Sequence, residues 1–213
     1  MSKFGLTSES YLFDKLPKGF DPMNKQYDPL DITKHAELVH RKENDALLVQ
    51  FIQYLVLNKL GYYASAQSTS LTVTHIGGGT FTFYNMQNPL RMDSGLGTSQ
   101  NWGTVVGTGN AAVTLTDYKL QTQIAAGTGA GQLVHGTQQY SSGPFTSGSS
   151  NYFFLGRSFT NLSGGAITVN EMGLYGFYTG PYYICLARDL ITGGVTINDG
   201  KVGYFQYKFQ ITV

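Results

Sequence analysis

A chain of 213 residues can bury a core without covalent staples, and its single cysteine, Cys185, excludes an intrachain disulfide framework and a multi-cysteine zinc site. Fourteen basic against 13 acidic residues leave a net charge of +1, and the only adjacent basic pair, Arg41-Lys42, is followed at once by Glu43. Such a chain has no basic footprint for phosphate neutralisation, so no specific nucleic-acid partner is expected.

The first segment, Met1 to Leu6, has no apolar stretch after its positive charge, so no signal peptide is expected. Residues 1–60 hold 16 of the 27 charged residues but only Gly5 and Gly19; residues 61–213 hold the other 11 charges and 25 glycines. Two regions are therefore expected, 1–60 for assembly and 61–213 as a β-domain. Pro17, Pro22 and Pro29 make 1–31 an extended arm without helical or alternating period. Its aromatics Phe4, Tyr11, Phe13, Phe20 and Tyr27 are either solvated with a disordered arm or anchors onto another subunit.

A helix is predicted next, capped by Asp31 and closed by Gly61 with Lys59 in the last turn, with room for a break near 43–45. Leu48, Ile52, Leu55 and Val56 share one face, while Leu47, Phe51 and Leu57 lie on other sides, so it is buried on more than one side. Its apolar run, 46–58, is shorter than the roughly 20 residues of a membrane span. The helix packs either on its own sheet or between subunits, and the preceding arm favours the second. The expected assembly interface is thus Phe4, Tyr11, Phe13, Phe20, Tyr27, Leu48, Phe51, Ile52 and Leu55, and removing 1–31 is expected to leave the β-domain folded.

From residue 67 the period is two. Phe205, Tyr207, Phe209, Ile211 and Val213 alternate with Gln206, Lys208, Gln210 and Thr212, the pattern of a half-buried strand. Further strands are predicted over 70–75, 80–84, 112–116, 151–160, 166–175, 182–187 and 194–197. Gly77-Gly78-Gly79, Gly164-Gly165 and Asn198-Asp199-Gly200 punctuate them. The fold class is mainly β: an antiparallel β-sandwich (jelly-roll or Ig-like) or barrel, with the N-terminal extended arm and helix. Two long loops, 85–108 with Trp102 and 127–150 with Tyr140, are candidate ligand loops.

Motifs for chemistry fail on their spacing. His35 and His40 lie five apart with Glu37 between, whereas a zincin helix needs them four apart with Glu directly after the first. Gly127-Thr128-Gly129-Ala130-Gly131 lacks the Lys-Ser/Thr of a phosphate loop, and Gly107-Thr108-Gly109 fails likewise. Cys185 sits in an apolar strand with no base near it in sequence, as a small hydrophobe does. The carboxylates after Asp45 are Asp93, Asp117, Glu171, Asp189 and Asp199. Asp199 is committed to its turn, and Glu171 with Arg188-Asp189 is expected to form a structural cross-strand ion pair. Asn161-Leu162-Ser163 fits a glycosylation sequon. No catalytic residue, metal or cofactor is expected. Trp102 and Tyr140 could stack on sugars or serve a protein interface.

Three blocks carry a resemblance: Gly107-Thr108-Gly109-Asn110 through Leu115-Thr116-Asp117-Tyr118-Lys119-Leu120; Phe159 through Tyr175; and Ile184-Cys185-Leu186-Ala187-Arg188-Asp189-Leu190 with Val195-Thr196-Ile197 and the closing strand. Over roughly residues 105–213 the chain resembles a β-rich pattern of tailed-bacteriophage virion structural proteins. The resemblance implies a structural subunit of the particle (capsid-associated, neck or tail), located in the virion and assembling with itself and other virion proteins. The alternative expectation is a host-receptor or glycan-binding module displayed on the virion through Trp102 and Tyr140. A glycan-degrading enzyme with a carboxylate pair ranks last.

Overall fold

The computed structural model describes residues 3–13, 37–43, 48, 50, 70–84, 91–92, 99–140 and 144–212. Their strands are β1 (Lys3–Phe13), β2 (Glu37–Glu43), β3 (Ser70–Thr74), β4 (Thr80–Tyr84), β5 (Gly103–Gly107), β6 (Val134–His135), β7 (Gln139–Tyr140), β8 (Phe145–Ser147), β9 (Ser150–Thr160), β10 (Ile167–Thr179), β11 (Tyr182–Ile197) and β12 (Val202–Thr212). The protein is mainly β, and its strand pairs are antiparallel.

The larger sheet runs β2-β1-β12-β9-β6, with β7 and β8 also on β9; the smaller runs β11-β10-β5, and β3-β4 form a hairpin across the Gly77-Gly78-Gly79 turn. One apolar cluster draws side chains from both sheets. Leu6, Leu155, Phe159, Phe205, Tyr207 and Phe209 meet Val106, Val169, Met172, Leu174, Leu186 and Ile197 there. The period-two reading of the C-terminal strand thus holds over Phe205, Tyr207 and Phe209, which line the core; Ile211 is half exposed, and residue 213 lies outside the described residues. The even-numbered side chains of β12 are not simply solvated. Tyr204 and Gln206 are buried together with Glu9 and Tyr11 on the other face of the sheet. The Glu9 carboxylate makes that burial tolerable, because it accepts hydrogen bonds from Gln206 Nε2 at 2.6 Å and the Tyr11 hydroxyl at 2.8 Å.

The smaller sheet also has a second buried face, where Val105, Tyr175 and Cys185 pack with Leu48 and Leu120. Leu120 belongs to an excursion, 108–124, that leaves β5 and folds back over the sheet; Ile124 N donates to Val106 O at 3.0 Å.

Several expectations are corrected. Residues 3–13 are no free arm: β1 pairs with β12 from Lys3↔Thr212 to Phe13↔Val202. Its alternation escapes notice because small polar residues take the core-facing positions. Ser8 and Ser10 lie opposite Tyr207 and Phe205, and Leu6 lies opposite Phe209. Residues 37–43, expected inside the helix from Asp31 to Gly61, are strand β2, with a bulge where β1 passes from Ser10 to Tyr11. Pairing with the β1 backbone overrides local helix preference there. Leu48 is buried in the second core, and most of that expected helix lies outside the described residues. A boundary near residue 60 does not separate β1 and β2 from the sheet of β9 and β12.

The predicted strand over 112–116 is part of the 108–124 excursion, and the strands over 182–187 and 194–197 are one, β11. The loops 85–108 and 127–150 contain β5 to β8.

Candidate functional site

Among the described residues, Glu171, Arg188 and Asp117 form a group of ionisable side chains on the second face of the smaller sheet. Glu171 on β10 sits opposite Gly107 of β5, and Arg188 on β11 sits opposite Gly173, so Glu171 and Arg188 share that face. Arg188 Nε donates to Glu171 Oε2 at 2.8 Å with both side chains buried, which bears out the expected cross-strand ion pair. Arg188 Nη1 reaches Asp117 Oδ2 at 2.7 Å, and Nη2 donates to the Ala111 carbonyl at 2.9 Å. Asp117 in turn accepts from Thr114 N at 3.0 Å and Thr114 Oγ1 at 2.7 Å.

Glu171 does more than pair with Arg188. Its Oε1 accepts from Thr122 N at 2.8 Å and Gly109 N at 3.2 Å, and its Oε2 also accepts from Gln121 N at 3.0 Å. A carboxylate has about four lone-pair sites, and all are taken by donors of this chain. It therefore fastens the excursion to the sheet and has no site left to take a substrate proton. Gly107 and Gly109 belong to this arrangement. A Cβ on Gly107 would come within 2.6 Å of Glu171 Oε1 and 2.5 Å of the Thr122 carbonyl, and one on Gly109 within 2.5 Å of Glu171 Oε1.

Next to the charged cluster, Leu120 N donates to the Tyr175 hydroxyl at 2.7 Å, and burial holds the Tyr175 hydroxyl well above its ordinary pKa. Burial also pushes the Cys185 thiol up, away from the thiolate a nucleophile needs. Asp199 accepts from Gly164 N at 2.9 Å, which ties its own turn to the Gly164-Gly165 turn. Asn161, the sequon residue, is fully buried: its Nδ2 donates to the carbonyls of Gly165 and Ile197, each at 2.7 Å.

The candidate ligand residues stand on different elements, Trp102 just before β5 and Tyr140 on β7. Trp102 packs edge-on against Phe177, 4.7 Å between centroids, at the end of the β10–β11 hairpin, with Tyr183 at 6.3 Å and the Arg91 guanidinium 5.5 Å from its ring centroid. Its ring is thus engaged by its own chain. Tyr140 lies on β7 opposite Leu155 of the larger sheet and is 43% exposed. Sequence reasoning missed the other side of the hairpin end, where Phe81 stacks on Tyr182 at 4.4 Å and on Tyr178 at 5.7 Å.

Of the expected assembly residues, Tyr11, Phe13 and Leu48 are buried within their own chain, so in this form they are not free anchors. Phe4 lies on β1 opposite Ile211. Phe20, Tyr27, Phe51, Ile52 and Leu55 lie outside the described residues. The exposed large apolar side chains are instead Leu38, Val39, Leu115, Tyr140, Phe153, Leu162 and Ile211 among the described residues. Phe153 is 37% exposed although it stacks flat on Phe209 at 4.7 Å, and Ile211 is half exposed.

A third feature centres on β9 and β6. Arg157 of β9 is wholly buried; its Nε donates to the Gly136 carbonyl at 2.6 Å, and an Nη lies 3.4 Å from the Trp102 carbonyl. His135 of β6 packs edge-on against Phe159 at 4.9 Å and borders a cavity of about 500 Å³.

No protein-family model matches the chain, and neither does any curated protein or solved structure.

Proposed function

We propose that this chain is a structural subunit of a tailed-bacteriophage particle, capsid-associated or part of the neck or tail, that works by assembly with its own copies and with other virion proteins and not by catalysis. The observation that carries the reading is the saturated Glu171 carboxylate. A buried acid with an adjacent guanidinium is where a reaction centre would be sought, yet every acceptor site holds this chain's own backbone or Arg188. Charge is placed where it stiffens the body. The low charge of the whole sequence, 13%, and the exposed Leu38, Val39, Phe153 and Ile211 suit a surface partly covered by neighbours. In this reading the two sheets form an antiparallel β-sandwich, and Phe20, Tyr27, Phe51, Ile52 and Leu55 contribute to the surface that meets neighbours.

The test is quantitative mass spectrometry of purified particles, followed by antibody labelling in electron micrographs. A fixed copy number and one labelled position are expected. Absence of the chain from purified particles sinks the proposal.

The alternative, a host-receptor or glycan-binding module on the virion, is favoured by the open ring of Tyr140. Under it, Tyr140→Ala particles assemble normally but lose adsorption to the host; unchanged adsorption counts against that reading.

A further inference from the structure

His135 occupies a position that its chemistry suits only while it is neutral. It is 4% exposed, and neither ring nitrogen has a hydrogen-bond partner. Both nitrogens are also shut away from the adjoining cavity, so no ligand in that cavity reaches them unless the ring moves. Among the described residues, the charged group facing the ring is Arg157, two positions before Phe159 on β9. The cavity wall beyond it, made by Ser99, Gln100, Asn101, Ala126 and Gly127, carries no titratable side chain. The strand that holds the ring is short: β6 has two residues, paired with Thr160 and Phe159, and Gly136 N adds one bond to the Ser158 carbonyl at 2.8 Å.

We propose that His135 is an acid-released latch: on taking a proton its ring leaves the seat beside Arg157 for the adjoining cavity, and β6 detaches from β9. An imidazolium has two N–H donors to satisfy and would stand next to a second buried cation. The cavity offers what the seat lacks, namely the oxygens of Ser99 and Asn101 in its lining. Desolvation, and after it the Arg157 charge, lowers the His135 pKa to about 3. The fold thus favours the neutral ring. Its contribution is complete above the ordinary histidine value of about 6.5 and is lost progressively as the pH falls from there toward about 3. Between about pH 7 and about pH 5 the ratio of open to closed β6 rises roughly 25-fold.

Hydrogen–deuterium exchange of the full chain, corrected for intrinsic rates, reads this directly. The amides of 134–136 are expected to lose protection by that factor at the lower pH, while β10 and β12 do not change. His135→Phe keeps a ring against Phe159 but takes no proton, so its protection is expected to be independent of pH. Equal protection of 134–136 at both pH values in the wild type overturns the latch, as does an undiminished acid effect in the His135→Phe variant. If that variant does not fold, the wild-type His135 ring resonance decides by NMR. It is expected to titrate below the ordinary histidine value of about 6.5 and together with the loss of protection; an ordinary titration with β6 still protected overturns the proposal.

Discussion

Replacing Glu171 by glutamine changes one oxygen to an NH2 group and should cost far more than that small change of shape suggests. The carboxylate accepts four hydrogen bonds, from the amides of Gly109, Gln121 and Thr122 and from Arg188 Nε. With the amide oxygen kept toward Gly109 and Thr122, the new NH2 confronts Gln121 N–H and Arg188 Nε–H, donor against donor. Two buried donors lose their acceptor, each at ~1–3 kcal/mol, and Arg188 loses half of its charge compensation. Breaking a buried ion pair from one side costs ~3–5 kcal/mol, which agrees with that sum. For a chain of this size the midpoint of thermal unfolding should fall by roughly 6–20 °C, and the denaturant midpoint should move with an unchanged slope. Exchange protection at 109, 121 and 122 should drop most. The variant Glu171→Leu/Arg188→Leu separates the two roles of the carboxylate: it removes the buried charges together but still orphans three amides, so only partial recovery is expected. A Glu171→Gln protein within ~1 kcal/mol of wild type, with the excursion still protected, would refute the reasoning.

Three further changes probe other parts of the same design. Removing residues 1–13 takes away β1, the partner of β12 along its whole length, and is expected to give a chain without a cooperative unfolding transition in near-ultraviolet circular dichroism. Asn161→Ala orphans the carbonyls of Gly165 and Ile197 and removes the acceptor for Ser163 N, so denaturant titration should show a loss of ~2–4 kcal/mol. Tyr175→Phe leaves Leu120 N–H without its acceptor and should cost ~1–3 kcal/mol, with faster exchange of the Leu120 amide as the local signature.

The elements that the sequence reveals are those in which one residue type repeats on one face. β12 is legible because Phe205, Tyr207 and Phe209 all line the core. β1 obeys the same geometry, but Ser8 and Ser10 occupy the matching positions, and the period vanishes from a hydrophobicity pattern. The Glu171–Arg188 pair was legible because one hairpin carries both residues. Asp117 was not, because it reaches Arg188 across 71 residues, from a segment whose alternation resembles a strand. The expectation of a free arm failed over residues 3–13 for a related reason: prolines at 17, 22 and 29 describe their own neighbourhood and say nothing of β1 before them.

Gly107-Thr108-Gly109 shows how one motif can be read correctly in what it excludes and still be misjudged in what it does. Glycine-rich loops let a backbone come close to an anion, and the sequence test asks whether that anion is a phosphate. Here the anion is supplied by the chain itself. Glu171 Oε1 takes the Gly109 amide, and a Cβ at either glycine would strike that same oxygen. The physical reason for the glycines is the one a phosphate loop has; the charge they approach is internal, fixed, and already neutralised by Arg188. Gly109→Ala therefore should act like a weakened Glu171→Gln. It should push the carboxylate out of reach of the Thr122 amide and destabilise the same 108–124 excursion by ~1–3 kcal/mol, with little further loss when the two changes are combined. Fully additive losses in that double variant would mean that glycine and carboxylate act independently, and the internal-anion account of the motif would fall.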